Sequence, residues 1–227
     1  MYFKDRSDAG SQLARELRDY RDEDVVIMAL SDGAVVVGQA IAGAIGGVIT
    51  LLLTKDITLP GEQSVVGTVD QSGGFTYNNM FSAGELEEYV SEFHNYLESE
   101  KINKVSEINH LLSDSGLMDR TALQDKVTII VSDGAKSGVA FDAAMNYLKP
   151  VRLKRLIMVA PLASVQAVDR MHILGDEIHV LSVVDNFFET DHYYEENKLP
   201  SRDTILNMLS RIAPKPRIAP HQPRTYT

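Results

Sequence analysis

Ser132-Asp133-Gly134-Ala135-Lys136-Ser137-Gly138 joins an apolar run, Lys126–Val131, to a helical stretch beginning at Val139. A strand running into a helix leaves the helix's first N–H groups pointing into the turn, and the helix dipole favours an anion there. Gly134 and Gly138 let the backbone approach a ligand closely, Ser137 adds a hydroxyl and Lys136 a positive charge, while Asp133 brings a carboxylate to the same turn. That chemistry suits a phosphate group. A plain capped turn uses the same residue types. The turn is not a P-loop, because Gly134-Ala135-Lys136-Ser137 lacks the Gly-Lys pair and its upstream glycine. A second turn of the same kind, Ser31-Asp32-Gly33-Ala34, follows the apolar run Asp24–Leu30, and there Asp32 reads as a helix cap in preference to a catalytic acid.

The elements around these turns follow from periodicity. Asp24–Leu30, Val48–Leu53, Lys126–Val131, Arg155–Ala160 and Glu177–Ser182 are short apolar runs of the kind that form parallel strands covered on both faces. Helical spacing predicts helices over Ser7–Tyr20, with Ser7 or Asp8 as the cap, and over Val35–Ile45, Val139–Leu148, Ser164–Arg170 and Ser201–Ile212. Ser82 to about Leu112 is strongly helical, as one helix or a pair, and forms an insertion over about 82–113. Asp56–Gln63, with Pro60-Gly61, reads as a loop, and Val65–Gln71 and Phe75–Asn78 as two paired strands around Gly73-Gly74. Alternating strands and helices imply an α/β fold with a doubly wound, mostly parallel sheet. Ligands in such sheets bind at the carboxyl ends of the strands where the order reverses, which directs attention to the two turns.

The bulk properties limit the function. The 227 residues, 44% apolar and 24% charged, are enough for one α/β domain, expected over 1–212, followed by a basic, Pro-rich tail at 213–227 expected to be disordered. A net charge of −10, spread along the chain, argues against nucleic acid and anionic membrane as partners. Absence of cysteine removes thiolate chemistry and fits a reducing, cytoplasmic location; Met1–Gly10 shows no signal-peptide pattern. Val35–Leu53 is nearly free of polar side chains, but Gly38, Gly43, Gly46 and Gly47 interrupt it, with Gly46-Gly47 as the stop between a buried helix and a strand rather than a membrane span. The histidines, among them His94, His110, His172, His179 and His192, show no ligand spacing, so no metal site made of side chains is expected. Tyr193-Tyr194 could stack on a base as part of a substrate wall or close the core, and core packing is the preferred reading.

Val127–Ala140 resembles the phosphoribosyl-pyrophosphate loop of the type I phosphoribosyltransferases: an apolar strand, two acids, a short spacer, Thr-Gly and a helix. Further stretches resemble one bacterial branch of that family: Phe3–Gly10 followed by Leu13, Asp24–Leu53 with Lys55 after it, Gly67, Val159–Ala163, Phe187-Phe188 and Tyr193-Tyr194. The resemblance runs from about residue 2 to 195 and implies a Rossmann-like parallel sheet with a small hood made by the chain ends. It implies transfer of 5-phosphoribosyl from 5-phosphoribosyl 1-pyrophosphate (PRPP) to a base nitrogen, with Mg²⁺ held mainly through PRPP, and dimers are common among such proteins. Carried over by position, Gly134–Ala140 would cradle the 5′-phosphate and Asp133 would contact the ribose hydroxyls. Ser31, Asp32, Gly33 and Ala34 would form the pyrophosphate loop, Lys55 a cationic contact to it, and Asp56–Gln63 the flexible lid. Three positions depart from the pattern: Ser132 stands for the first of the two acids, Ser31–Ala34 for a loop that reads Pro-Arg-Gly-Gly, and Ala140 for a second threonine. They keep open an alternative, a catalytically degenerate protein that binds a nucleotide or sugar phosphate and acts by regulation or interaction.

Overall fold

The computed structural model describes residues 3–61, 65–112 and 120–211. Five strands form one parallel sheet: β1 (Val25–Ala29), β2 (Val48–Leu51), β6 (Val127–Val131), β7 (Arg155–Ser164) and β8 (Glu177–Val184), in the order β2-β1-β6-β7-β8. Register is continuous across it, with Ile27 beside both Ile49 and Ile129, and Ile129 beside Ile157. The chain leaves β1 toward β2 and leaves β6 toward β7, so the order reverses between β1 and β6. Both phosphate-turn candidates begin at that reversal. The α/β, doubly wound, mostly parallel fold expected from the alternating runs is the one observed.

Successive side chains on each strand fall into different cores, as a sheet buried on both faces requires. Ile27, Ile129, Ile157 and Val159 pack under α1 (Arg6–Glu16) and α2 (Asp32–Ile45), while Val26, Met28, Ile130 and Met158 pack under α5 (Val139–Leu148) and α6 (Val165–Leu174). A third cluster joins the first described residues to the segment around Tyr193 and Tyr194. Phe3 bridges Tyr194 and packs with Leu162, Tyr193 and Tyr194, so the two tyrosines belong to the core.

A separate three-stranded antiparallel sheet has the order β3-β4-β5, with β3 Thr54–Thr58, β4 Val65–Asp70 and β5 Phe75–Tyr77. The β4–β5 pair matches expectation, but β3 corrects the loop reading of Asp56–Gln63 at residues 56–58, while Pro60 and Gly61 form the expected turn. Lys55 pairs with Val69 and Ile57 with Gly67, and Ile57 and Leu59 are buried. Only Ile57 and Leu59 mark the buried face, and polar Thr54, Asp56 and Thr58 alternate with them, so the apolar signal is weak. Residues 62 and 63, the end of the expected lid, lie outside the described residues, as does the tail at 213–227. The 82–112 stretch is a pair of helices, α3 (Ala83–Glu92) and α4 (His94–Leu112), parted at Phe93. Ser82 and Glu85 form a reciprocal capping box at the start of α3. The last described helix is α7 (Arg202–Arg211). No described helix is long and apolar enough to cross a membrane.

A candidate phosphate site at the switch point

The first turn is tighter than its sequence suggested. Helix α2 starts at Asp32, so Asp32, Gly33 and Ala34 are its first residues, and Ser31 rather than Asp32 is the cap, its Oγ accepting from the Ala34 N–H at 2.9 Å. In the same way Asp5, not Ser7 or Asp8, caps α1. Asp32 instead pairs with the Arg202 guanidinium on α7, which also donates to the Leu111 carbonyl of α4 at 3.3 Å.

The second turn is fixed from beneath and open above. Ala135 N–H donates to the Leu162 carbonyl and Ser164 N–H to the Ala135 carbonyl, while Ser164 Oγ donates to the Lys136 carbonyl at 2.6 Å. Ser132, the residue in place of an acid, exchanges hydrogen bonds with the Gly134 backbone and so stiffens the turn. Gly138 is the N-cap of α5 at φ 77°, a backbone conformation that side chains disfavour, and Arg170 packs against it. Arg170 is itself held by the Asp142 carboxylate at 2.7 and 2.5 Å, which ties α6 to α5. None of the described hydrogen bonds is donated by the N–H of Lys136, Ser137 or Gly138. Lys136 is exposed and forms no ion pair among the described residues. Beside this turn opens a cleft of about 670 Å³, walled by Lys136 and Ser137, by Met80 and Phe81 after the β5 hairpin, and by Val165 and Phe187.

A residue that the sequence reading left out joins the two turns. Arg6, 5% exposed, donates from Nε to Asp133 Oδ2 at 2.7 Å and from Nη2 to Asp191 at 2.5 Å, and from Nη1 to the Asn197 carbonyl at 3.1 Å. Ser31 Oγ donates to the other Asp133 oxygen at 2.6 Å, and Tyr194 OH to the Asp133 carbonyl at 2.5 Å. The Tyr194 ring lies 4.5 Å from the Arg6 guanidinium carbon. Burial opposes the charge on Arg6, but Asp133 and Asp191 outweigh it and hold its pKa above the ordinary value. Burial, then the Asp133 charge, drives the Tyr194 hydroxyl upward, so it remains a donor. A Cβ on Gly33 would lie 2.0 Å from Asp133 Oδ2 and 2.5 Å from Arg6 Nε, so the ion pair rests directly on the first turn of α2. The only sequence signal was Arg6 within Phe3–Gly10, where an arginine opening an amphipathic helix looks like any surface cation.

Ser31, Gly33, Asp133 and the 134–138 backbone are thus brought together, whereas Lys55 stands on β3 with Nζ 3.7 Å from Glu107 of α4. Among the described residues no three His, Asp or Glu side chains gather as a metal cage.

Fold and site together define a doubly wound α/β protein whose two βα turns meet at the switch point, one of them offering free amides beside a cleft of mixed polar and apolar lining. No family model matches the chain. Two Mycobacterium tuberculosis proteins, from strains CDC 1551 and H37Rv and each named "Putative phosphoribosyl transferase", are 22% identical to it over 211 residues, which is 92% of this chain and 46% of theirs. The chain therefore spans about half the length of the curated relatives it matches. The crystal structure of TT1426 from Thermus thermophilus superposes with a TM-score of 0.73 at 24% identity, covering 94% of this chain and 100% of that one, a likeness of fold. A Staphylococcus aureus hypoxanthine phosphoribosyltransferase aligns over 82% of this chain and 78% of its own at 12% identity and a TM-score of 0.49.

Proposed function

We propose that the chain is a phosphoribosyltransferase that moves the 5-phosphoribosyl group of PRPP to a nitrogenous base. The observation that carries this reading is the meeting of the two turns at the switch point, with the amides of Lys136 and Ser137 donating none of the described hydrogen bonds beside the cleft. The names of the two mycobacterial relatives support it. The Gly134, Ala135, Lys136, Ser137 and Gly138 segment takes the 5′-phosphate through amides, the Ser137 hydroxyl and the Lys136 charge. The apolar walls at Phe81 and Phe187 receive the flat base.

Breaking the bond from C1 to the diphosphate leaves positive charge on the sugar and negative charge on the leaving group. Catalysis then rests on alignment and on fixed dipoles aimed at those charges. Ser31–Ala34, at the N-terminus of α2, is placed for the leaving group. Asp133 accepts two donors in this arrangement, and a carboxylate offers about four acceptor positions, so two are left for ribose hydroxyls. Lys55 would reach the diphosphate after leaving Glu107. Mg²⁺ would supply neutralising charge to the diphosphate. The described side chains form no cage for it, so it would be carried by PRPP, and the steps assigned to this chain do not pass through it.

One observation favours a second reading, a nucleotide- or sugar-phosphate-binding protein without turnover. The first turn is internally engaged, Asp32 by Arg202 and Gly33 by the Asp133–Arg6 pair. Calorimetric titration with PRPP and Mg²⁺, beside ribose 5-phosphate and AMP, separates the two. Micromolar PRPP binding, about −8 kcal/mol, strengthened by Mg²⁺, supports transfer. Binding of the monophosphates alone replaces it with the second reading.

A further inference from the structure

The Asp133 carboxylate is more than a group in waiting for a sugar. Its Oδ2 lies so close over Gly33 that no Cβ would fit, and its Oδ1 takes the Ser31 hydroxyl, so a negative charge already rests at the start of α2. The cation beside it, Arg6, is held by Asp133, Asp191 and a backbone carbonyl, and its side chain is 5% exposed. Asp32, the neighbouring acid, is neutralised by Arg202.

We propose that Asp133 is the resting anion of the first turn, and that an incoming diphosphate displaces it by taking over the Ser31 hydroxyl and the Arg6 guanidinium. The exchange swaps the anionic partner of Arg6: a single carboxylate gives up the guanidinium and the Ser31 hydroxyl to a more highly charged diphosphate. It makes Asp133 a residue that sets which anion the site admits, weakening diphosphate binding by competition, and makes Arg6 the cation that changes partner. The role rests on reading the first turn as the diphosphate half of the site. It differs from a purely sugar-binding role for Asp133, which predicts no effect on a ligand that has no sugar.

The probe is therefore inorganic diphosphate, titrated calorimetrically without metal into the full chain at fixed ionic strength. D133N keeps the shape and removes the charge, and it should bind diphosphate at least tenfold more tightly than the parent. The double variant R6Q/D133N should lose that gain. D133S serves as a second variant with the same expected sign should D133N fail to fold, as judged by cooperative thermal melting. Equal or weaker binding by folded D133N or D133S overturns the proposal, and so does a gain that survives R6Q. AMP titrated alongside reports on the second turn alone. A parent protein that binds no PRPP in the presence of Mg²⁺ would sink the transferase reading, whereas the sign of the diphosphate change decides this one.

Discussion

At the scale of single residues, the site is made by contacts that admit almost no variation in size. Gly33→Ala inserts a methyl at 2.0 Å from Asp133 Oδ2, so the ion pair with Arg6 must move. Overpacking of this kind costs about 1–3 kcal/mol, and urea denaturation of G33A should show a loss in that range. Gly43, ten residues along the same helix, has nothing within 4 Å of where its Cβ would stand. G43A should gain up to about 1 kcal/mol from helix propensity, and a loss there would refute the packing argument. The candidate residues of the second turn were legible because strand, glycine, hydroxyl and cation are adjacent in the chain. Arg6 was not, since its partners Asp133 and Asp191 lie 127 and 185 positions away.

At the scale of elements, helix ends and strand ends are tuned by local polar contacts. Ser82 caps α3, which buries none of its residues and so depends on the cap. Ser82→Ala should weaken α3 by about 1 kcal/mol, read as faster amide exchange at residues 85–88 while the central strands stay protected. At the other end of the sheet, Glu177 on β8 accepts from Tyr20 and contacts His179, and the hydrogen bond from Tyr20, ahead of His179 and Arg155, holds its pKa below 4.5. A carboxyl lowered by folding contributes stability that is present above its unfolded value and is lost as pH falls through its folded value. Thermal melts should therefore show a parent-minus-E177Q stability difference that is flat near neutrality and shrinks below pH 4.5. The effect should be small because Glu177 is 37% exposed. A difference that grows on acidification would contradict the assignment. The main strands were legible from continuous apolar runs. Strand β3 was not, because one of its faces is polar and its partner strand supplies the pairing.

At the scale of the whole molecule, the fold closes where the N-terminal segment meets residues 193–197. Phe3 is 1% exposed, and its backbone donates to the Tyr193 carbonyl and accepts from Glu195 N–H. Phe3→Ala should cost about 3–5 kcal/mol, measured as a lower denaturation midpoint. Because Tyr194 holds the Asp133 carbonyl, F3A should also weaken AMP binding at the second turn; unchanged AMP affinity would uncouple the Phe3–Tyr194 contact from the site. The sequence by itself determined the alternation of buried strands and helices, hence a doubly wound sheet, and the two turns that such a sheet brings to its switch point. Both follow from patterns a few residues long, in which hydrophobic burial and the chemistry of turns act locally. Tertiary structure alone decided what those turns are bound to: Asp133 to Arg6 and Ser31, and Asp32 to Arg202. The physical reason is that an ion pair has no sequence period. A charge finds its partner wherever folding buries the two together, and burial makes that partner obligatory.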